Sequence, residues 1–160
     1  MAVGTRPQRA ISLQRLAIAP GGRLVSAPQV RDQAFEALAK RIEPGSVEVI
    51  IDDGSHASRD QQQTLSAFFP LLADGGWYFI EDLDWQPPGE DFGSITLTKT
   101  LLQEIQQHGR AKSKDPFGIS ALAGQIAEIL FFDSHYELER AKLLGGLAAI
   151  RKRGGMGLVL

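Results

Sequence analysis

Between residues 47 and 82 the chain reads strand, helix, strand, and this succession constrains the fold more than any other feature. VEVIID (47–52) is a β-branched run with hardly a polar break, the pattern of a strand covered on both faces. The helix after it is expected to open at Ser58, with Gln61 three residues on completing a capping box. Leu65, Phe68, Phe69 and Leu72 then fall at i, i+3, i+4 and i+7, one apolar stripe. Asp74-Gly75-Gly76 reads as the end of that helix and WYFIED (77–82) as the next strand. Two strands joined by a helix need a crossover connection, so both are expected to run parallel in one sheet of an α/β fold.

The flanks extend this pattern. Upstream, GGRLVSAP (21–28) reads as a strand, and Ala34, Phe35, Leu38 and Ile42 mark one face of a helix over 30–42 that Glu43-Pro44-Gly45-Ser46 stops. Downstream, DWQPPGEDFGS (84–94) is expected to be a loop over the sheet edge and a candidate substrate lid, with Trp85 able to stack on a ligand or to pack on the neighbouring helix. A helix is expected over 95–107, using Leu97, Leu101, Leu102 and Ile105, followed by a mobile GRAKSKDPFG (109–118). IAEILFFD (126–133) is expected to be a late strand, with LAAIRKRGG (147–155) as its antiparallel partner.

Composition narrows the function classes. With 160 residues, one core is expected. A net charge of -2 argues against a nucleic-acid partner held by a general positive field. The absence of cysteine excludes disulfides, thiolate zinc sites and cysteine nucleophiles. No apolar stretch approaches the roughly 20 residues that span a bilayer, so no membrane partner and a cytoplasmic location are expected. Residues 1–31 hold five arginines and no acid. The reading adopted is a basic leader over 1–20 ahead of a domain over 21–160, the alternative being a transit peptide or an arm that touches lipid or RNA.

The chemistry gathers where the two central strands end. Ligands of open α/β sheets bind beyond the carboxyl ends of the strands, and both IIDD and FIED place acids there. Neighbouring strands lie about 4.8 Å apart, so Asp53, Glu81 and Asp82 can converge. Three ionised carboxylates at such spacing need protons or a cation, and oxygen ligands suit a hard divalent ion such as Mg²⁺. His56, three residues past Asp53, is placed to accept a proton from a hydroxyl held there. Each feature alone has a structural reading: Asp52-Asp53-Gly54 as a turn in which Asp52 accepts backbone N–H bonds, His56 as a solvated or capping residue, Glu81-Asp82 as ordinary surface. Their shared location favours a functional site.

IDDGSH (51–56), FFPLL (68–72) and DGGWYFIEDL (74–83), with ILFFDS (129–134) further on, resemble the class I S-adenosylmethionine-dependent methyltransferases, specifically the metal-dependent sugar O-methyltransferases that tailor macrolide and rhamnosyl natural products. The resemblance covers about residues 22–155. It implies a Rossmann-like, mainly parallel sheet with flanking helices and an antiparallel C-terminal strand. It further implies Asp53, Glu81 and Asp82 as Mg²⁺ ligands, His56 as the base that deprotonates a sugar hydroxyl, and Asp52, Gly54 and Ser55 on the side of the S-adenosylmethionine cofactor. The glycine-rich cofactor loop and the ribose-binding acid of that family have no counterpart in the string, and a position usually acidic there is Pro28. The expectation is therefore a domain truncated at its N-terminus, its cofactor pocket incomplete or completed by a second copy or another chain. The alternatives are a non-catalytic α/β module that binds a metal or a partner, and metal-assisted phosphoryl or glycosyl transfer.

Overall fold

The computed structural model describes residues 37–84, 95–133 and 145–155, together with the backbone of residues 10–12. Five strands form one sheet: β1 (Ala10–Ser12), β2 (Val47–Asp52), β3 (Leu72–Ile80), β4 (Ile126–Phe132) and β5 (Leu147–Lys152), in the order β1-β2-β3-β5-β4. β1, β2 and β3 run parallel, in register Ile11 to Ile50 and Ile51 to Phe79. β5 lies between β3 and β4 and is antiparallel to both. The sheet is thus mixed: four strands run the same way and the C-terminal strand β5 is antiparallel, as expected, inserted between β3 and β4. β1 brings part of the expected leader into the sheet beside β2. The expected strand over 21–28, Trp85 and nearly all of the expected lid lie outside the described residues.

Among the described residues, α1 (Ser58–Phe68) packs on β2 and β3, and α2 (Thr98–His108) packs on α1 and β4. The buried positions of α1 are Ser58, Gln61, Gln62, Thr64, Leu65 and Phe68, a helical stripe that is apolar only in its C-terminal half. Leu65, Phe68 and Phe69 are fully buried, each stabilising the fold by about 1.5–3 kcal/mol relative to exposure. Ser58 does not cap α1: Ala57 precedes the first turn, and the Ser58 hydroxyl instead accepts the Thr98 N–H at 3.4 Å. Pro70 follows in a 3-10 turn, Phe69–Leu71.

Asp74-Gly75-Gly76 is a kink inside β3 and not the end of a helix. Val47 pairs with Leu72 and Val49 with Trp77, so five steps of β3 match two of β2. Gly75 takes φ 77° and a Cβ on Gly76 would lie 2.9 Å from the carbonyl oxygens of Ala73 and Glu48, so both positions require glycine. Upstream, residues 37–39 are helical and Leu38, Ala39 and Ile42 pack on the core, with Gly45 at φ 73° in the expected stop. Gly109, at φ 70°, ends α2 by donating its N–H to Ile105 at 2.8 Å. The 109–118 segment, expected to be mobile, is tied down by Glu104 and Asp115. A 3-10 segment, Ile119–Gln125, then leads into β4.

Candidate functional site

The C-terminal ends of β2 and β3 lie side by side, Asp52 opposite Ile80, and the ladder runs one step further through the Glu81 N–H donating to the Asp52 carbonyl at 3.0 Å. The Leu83 N–H donates to the Gly146 carbonyl at 2.8 Å. Asp82 therefore sits between two pinned backbone groups. It takes φ 54°, and His56 takes φ 62°; among the described residues these are the non-glycine residues with positive φ. His and Asp tolerate this region better than most side chains, and backbone conformations of this kind cluster at functional sites.

Asp53, His56 and Asp82 each offer a ligand atom, and those atoms lie within 4.8 Å of one another. The His56 Nε2 is 3.5 Å from an Asp82 carboxylate oxygen and 3.9 Å from one of Asp53. Glu81 stands beside this group: its carboxyl is pushed above the ordinary range first by partial burial, then by the negative charges of Asp53 and Asp82, with His56 opposing. A hard cation fits this donor set, since two carboxylates offer oxygen ligands beside one imidazole and repel one another without it.

The remaining expected residues lie behind or beside the cluster. Asp52 is buried and accepts hydrogen bonds from the Thr64 hydroxyl, from the Tyr78 hydroxyl at 3.3 Å and from the Gly54 backbone N–H. This is the turn geometry that an Asp two residues before a glycine suggests. Burial pushes the Asp52 carboxyl up to about 6 against the pull of those bonds and of His56. The Ser55 hydroxyl donates to the Asp60 carboxylate and accepts the Ala57 N–H at 3.3 Å, fixing the entry to α1. Sequence reasoning missed Thr64, Tyr78 and Gln61, whose Nε2 donates to the Glu81 carbonyl at 3.3 Å. The available signal was the helical spacing of Ser58, Gln61, Gln62 and Leu65, which puts polar residues on the buried stripe.

No protein-family model matches the chain. Among curated proteins it is 36% identical over 74 residues to the 8-demethyl-8-(2-methoxy-alpha-L-rhamnosyl)-tetracenomycin-C 3'-O-methyltransferase of Streptomyces olivaceus, covering 39% of this chain and 19% of that one. It is 35% identical over 72 residues to the demethylmacrocin O-methyltransferase of Streptomyces fradiae, covering 39% and 18%. To the mycinamicin VI 2''-O-methyltransferase of Micromonospora griseorubida it is 30% identical over 95 residues, covering 52% and 23%. The chain spans about a fifth of the length of the curated relatives it matches. Among solved structures, it is similar to a methyltransferase of the mycinamycin biosynthetic pathway in complex with Mg, SAH and mycinamycin VI, at 20% identity and a TM-score of 0.48, over 85% of this chain and 33% of that one. Among the described residues, no helix is long and apolar enough to cross a membrane.

Proposed function

We propose, for a chain related in sequence to the sugar O-methyltransferases of macrolide and tetracenomycin tailoring, that it carries the metal and base site of a Mg²⁺-dependent O-methyltransferase acting on a sugar hydroxyl of a glycosylated natural product. The observation that carries this reading is the meeting of Asp53, His56 and Asp82 within 4.8 Å at the ends of two neighbouring parallel strands.

In this reading Asp53 and Asp82, with Glu81 beside them, hold the cation. When bound, the cation supplies the charge that lowers the pKa of the acceptor hydroxyl, and S-adenosylmethionine supplies the methyl group. The His56 imidazole, on the rim of the same cluster, would accept the proton of the acceptor hydroxyl as the methyl group is transferred. The carboxylates also fix the direction of attack, an advantage of orientation that a free hydroxyl in water lacks. Gly54 and Ser55, on the loop between Asp53 and His56, are proposed to lie toward the cofactor. Asp52, with its carboxylate turned inward, acts on it only through the shape of that loop.

The test is transfer of a labelled methyl group from S-adenosylmethionine to a rhamnosyl macrolide or tetracenomycin glycoside, with and without Mg²⁺. Transfer is expected only with the ion, and His56→Ala is expected to slow it at least about a hundredfold, the usual contribution of a positioned base. Transfer that survives chelation of divalent ions, or an unaltered rate in His56→Ala, would overturn the proposal.

A further inference from the structure

The buried face of α1 is polar where it should be apolar, and its polar side chains reach three segments, 96–98 and the tips of β2 and β3. Ser58 binds Thr98, its hydroxyl accepting the Thr98 N–H and its carbonyl accepting the Thr98 hydroxyl at 3.2 Å. The Gln62 Nε2 donates to the Thr96 carbonyl at 2.5 Å. The other two go to the candidate site. The Gln61 Nε2 donates to the Glu81 carbonyl, on the tip of β3. The Thr64 hydroxyl donates to the Asp52 carboxylate, on the tip of β2. Its single proton has the carbonyls of Asp60 and Gln61 as competing acceptors at 2.9 and 3.1 Å, and the ionised carboxylate is the stronger acceptor. All four side chains are nearly or fully buried, Ser58 at 1%, Gln61 at 2%, Gln62 at 0% and Thr64 at 3% exposure.

Buried polar groups cost stability unless they are satisfied, and this helix buries four where leucines would have served the core. The two contacts to the tips are different in kind from packing. Asp52, held by Thr64 and by Tyr78, turns its carboxylate back to accept the Gly54 N–H, and Gly54 lies between Asp53 and His56. The Gln61 bond acts on the opposite tip, at the residue before Asp82. Gln61 and Thr64 stand three residues apart on one helix, and that helix is rigid, so their two bonds fix one tip relative to the other.

We propose that Gln61 and Thr64 are positioning residues: together they hold the tips of β2 and β3 at the separation at which Asp53, His56 and Asp82 converge on a divalent cation. This rests on the metal reading given above. The same helix supplies its own control, because Gln62 is as buried as Gln61 and likewise donates to a backbone carbonyl, but touches neither tip.

The experiment uses Mn²⁺ as the probe, with bound and free ion distinguished by electron paramagnetic resonance, on the full chain and on Gln61→Met, Thr64→Val, Thr64→Ser and Gln62→Met. Loss of partners behind metal ligands typically costs about 10- to 100-fold in affinity, so Gln61→Met and Thr64→Val are expected to weaken Mn²⁺ binding at least tenfold. Thr64→Ser, which restores the hydroxyl, is expected to bind within about threefold of the parent and Gln62→Met within about twofold, both well below that outer-shell loss. Tyr78→Phe removes a second donor to Asp52 without touching the helix and is expected to weaken binding in the same direction, so the proposal does not depend on Thr64→Val folding. In the metal-free protein, the ring proton resonances of His56 are expected to shift in Thr64→Val and to stay in place in Gln62→Met. Unchanged Mn²⁺ affinity in Gln61→Met and Thr64→Val, or an equal loss in Gln62→Met, would overturn the positioning role while leaving the metal site intact. Failure of the unaltered chain to bind Mn²⁺ would instead overturn the metal reading on which it stands.

Discussion

The carboxylates of the 104–120 region and those at the tips of β2 and β3 are built on opposite principles. Glu104 accepts the N–H groups of Lys112 and Ser113 at 2.7 and 2.8 Å and the Ser113 hydroxyl at 2.6 Å. Those bonds, the Ser113 hydroxyl first, pull its carboxyl below the ordinary range. Asp115 accepts the N–H groups of Ile119 and Ser120 at 3.0 and 2.8 Å. At the strand tips, by contrast, Asp53 and Asp82 come together with His56, Glu81 feels the charge of both, and among the described residues no backbone N–H donates to their carboxylates. A carboxylate that serves the fold brings its donors with it. A group of carboxylates held together without donors, by a backbone pinned on both sides, is arranged for a charge that comes from outside.

This contrast can be broken most decisively by removing charge from each set. Asp53→Asn combined with Asp82→Asn is expected to weaken Mg²⁺ binding, read by calorimetric titration, about a thousandfold, since each lost partner costs at least tenfold to a hundredfold. The same double variant is expected to melt higher than the parent in the metal-free state, because repulsion is relieved. Glu104→Gln should do the reverse, lowering the melting temperature while leaving Mg²⁺ affinity unchanged.

The pH dependence of stability should separate the regions by sign. Asp52 has a folded-state value of about 6 against an ordinary 3.8, raised by burial, so the folded chain binds its proton more tightly than the unfolded one. The stabilisation from this group is complete below about pH 4 and is lost as pH rises through about 6, on the order of a few kcal/mol at most. Glu81, also raised, acts in the same direction. Glu104, whose value is lowered, stabilises above the ordinary carboxylate range and loses that contribution as pH falls through its folded value. Denaturant titrations from pH 4 to 7 should therefore show a flatter curve for Asp52→Asn than for the parent, and Glu104→Gln should instead lose part of the acid limb.

Two smaller effects sharpen the same point. Asp115→Ala removes an acceptor from two backbone N–H groups and is expected to cost about 1–2 kcal/mol in chemical denaturation, the range seen for comparable caps. Asp82→Gly relieves a side chain at φ 54° and is expected to stabilise the metal-free protein by up to about 1 kcal/mol while weakening Mg²⁺ binding. Destabilisation by Asp82→Gly would mean that Asp82 belongs with the structural carboxylates.

The central unit was legible because its signals are strong and local: the β-branched run 47–52, the stripe of Leu65, Phe68 and Phe69, and the acids past each strand. The Gly75-Gly76 kink was misread because a positive-φ glycine ends helices and bends strands alike, and only pairing with β2 decides between them. β1 is three residues long, too short for any periodicity to mark it. The place of β5 between β3 and β4 depends on long-range pairing that no local pattern encodes. At the site, Asp53, His56 and Asp82 could be found because chemistry singles them out. Gln61 and Thr64 were missed because polar residues in a helix read as its solvent face, although their spacing puts them on the buried stripe, and Tyr78 because a tyrosine in a buried strand reads as core.

Crystals of the full chain soaked in Mn²⁺ would show whether the tips of β2 and β3 share one cation. The predicted result is an anomalous scattering peak at about 2 Å, typical ligand distance for a hard divalent ion, from carboxylate oxygens of both Asp53 and Asp82. A map with no peak between the two strand tips, or a peak bound by only one of them, would contradict it.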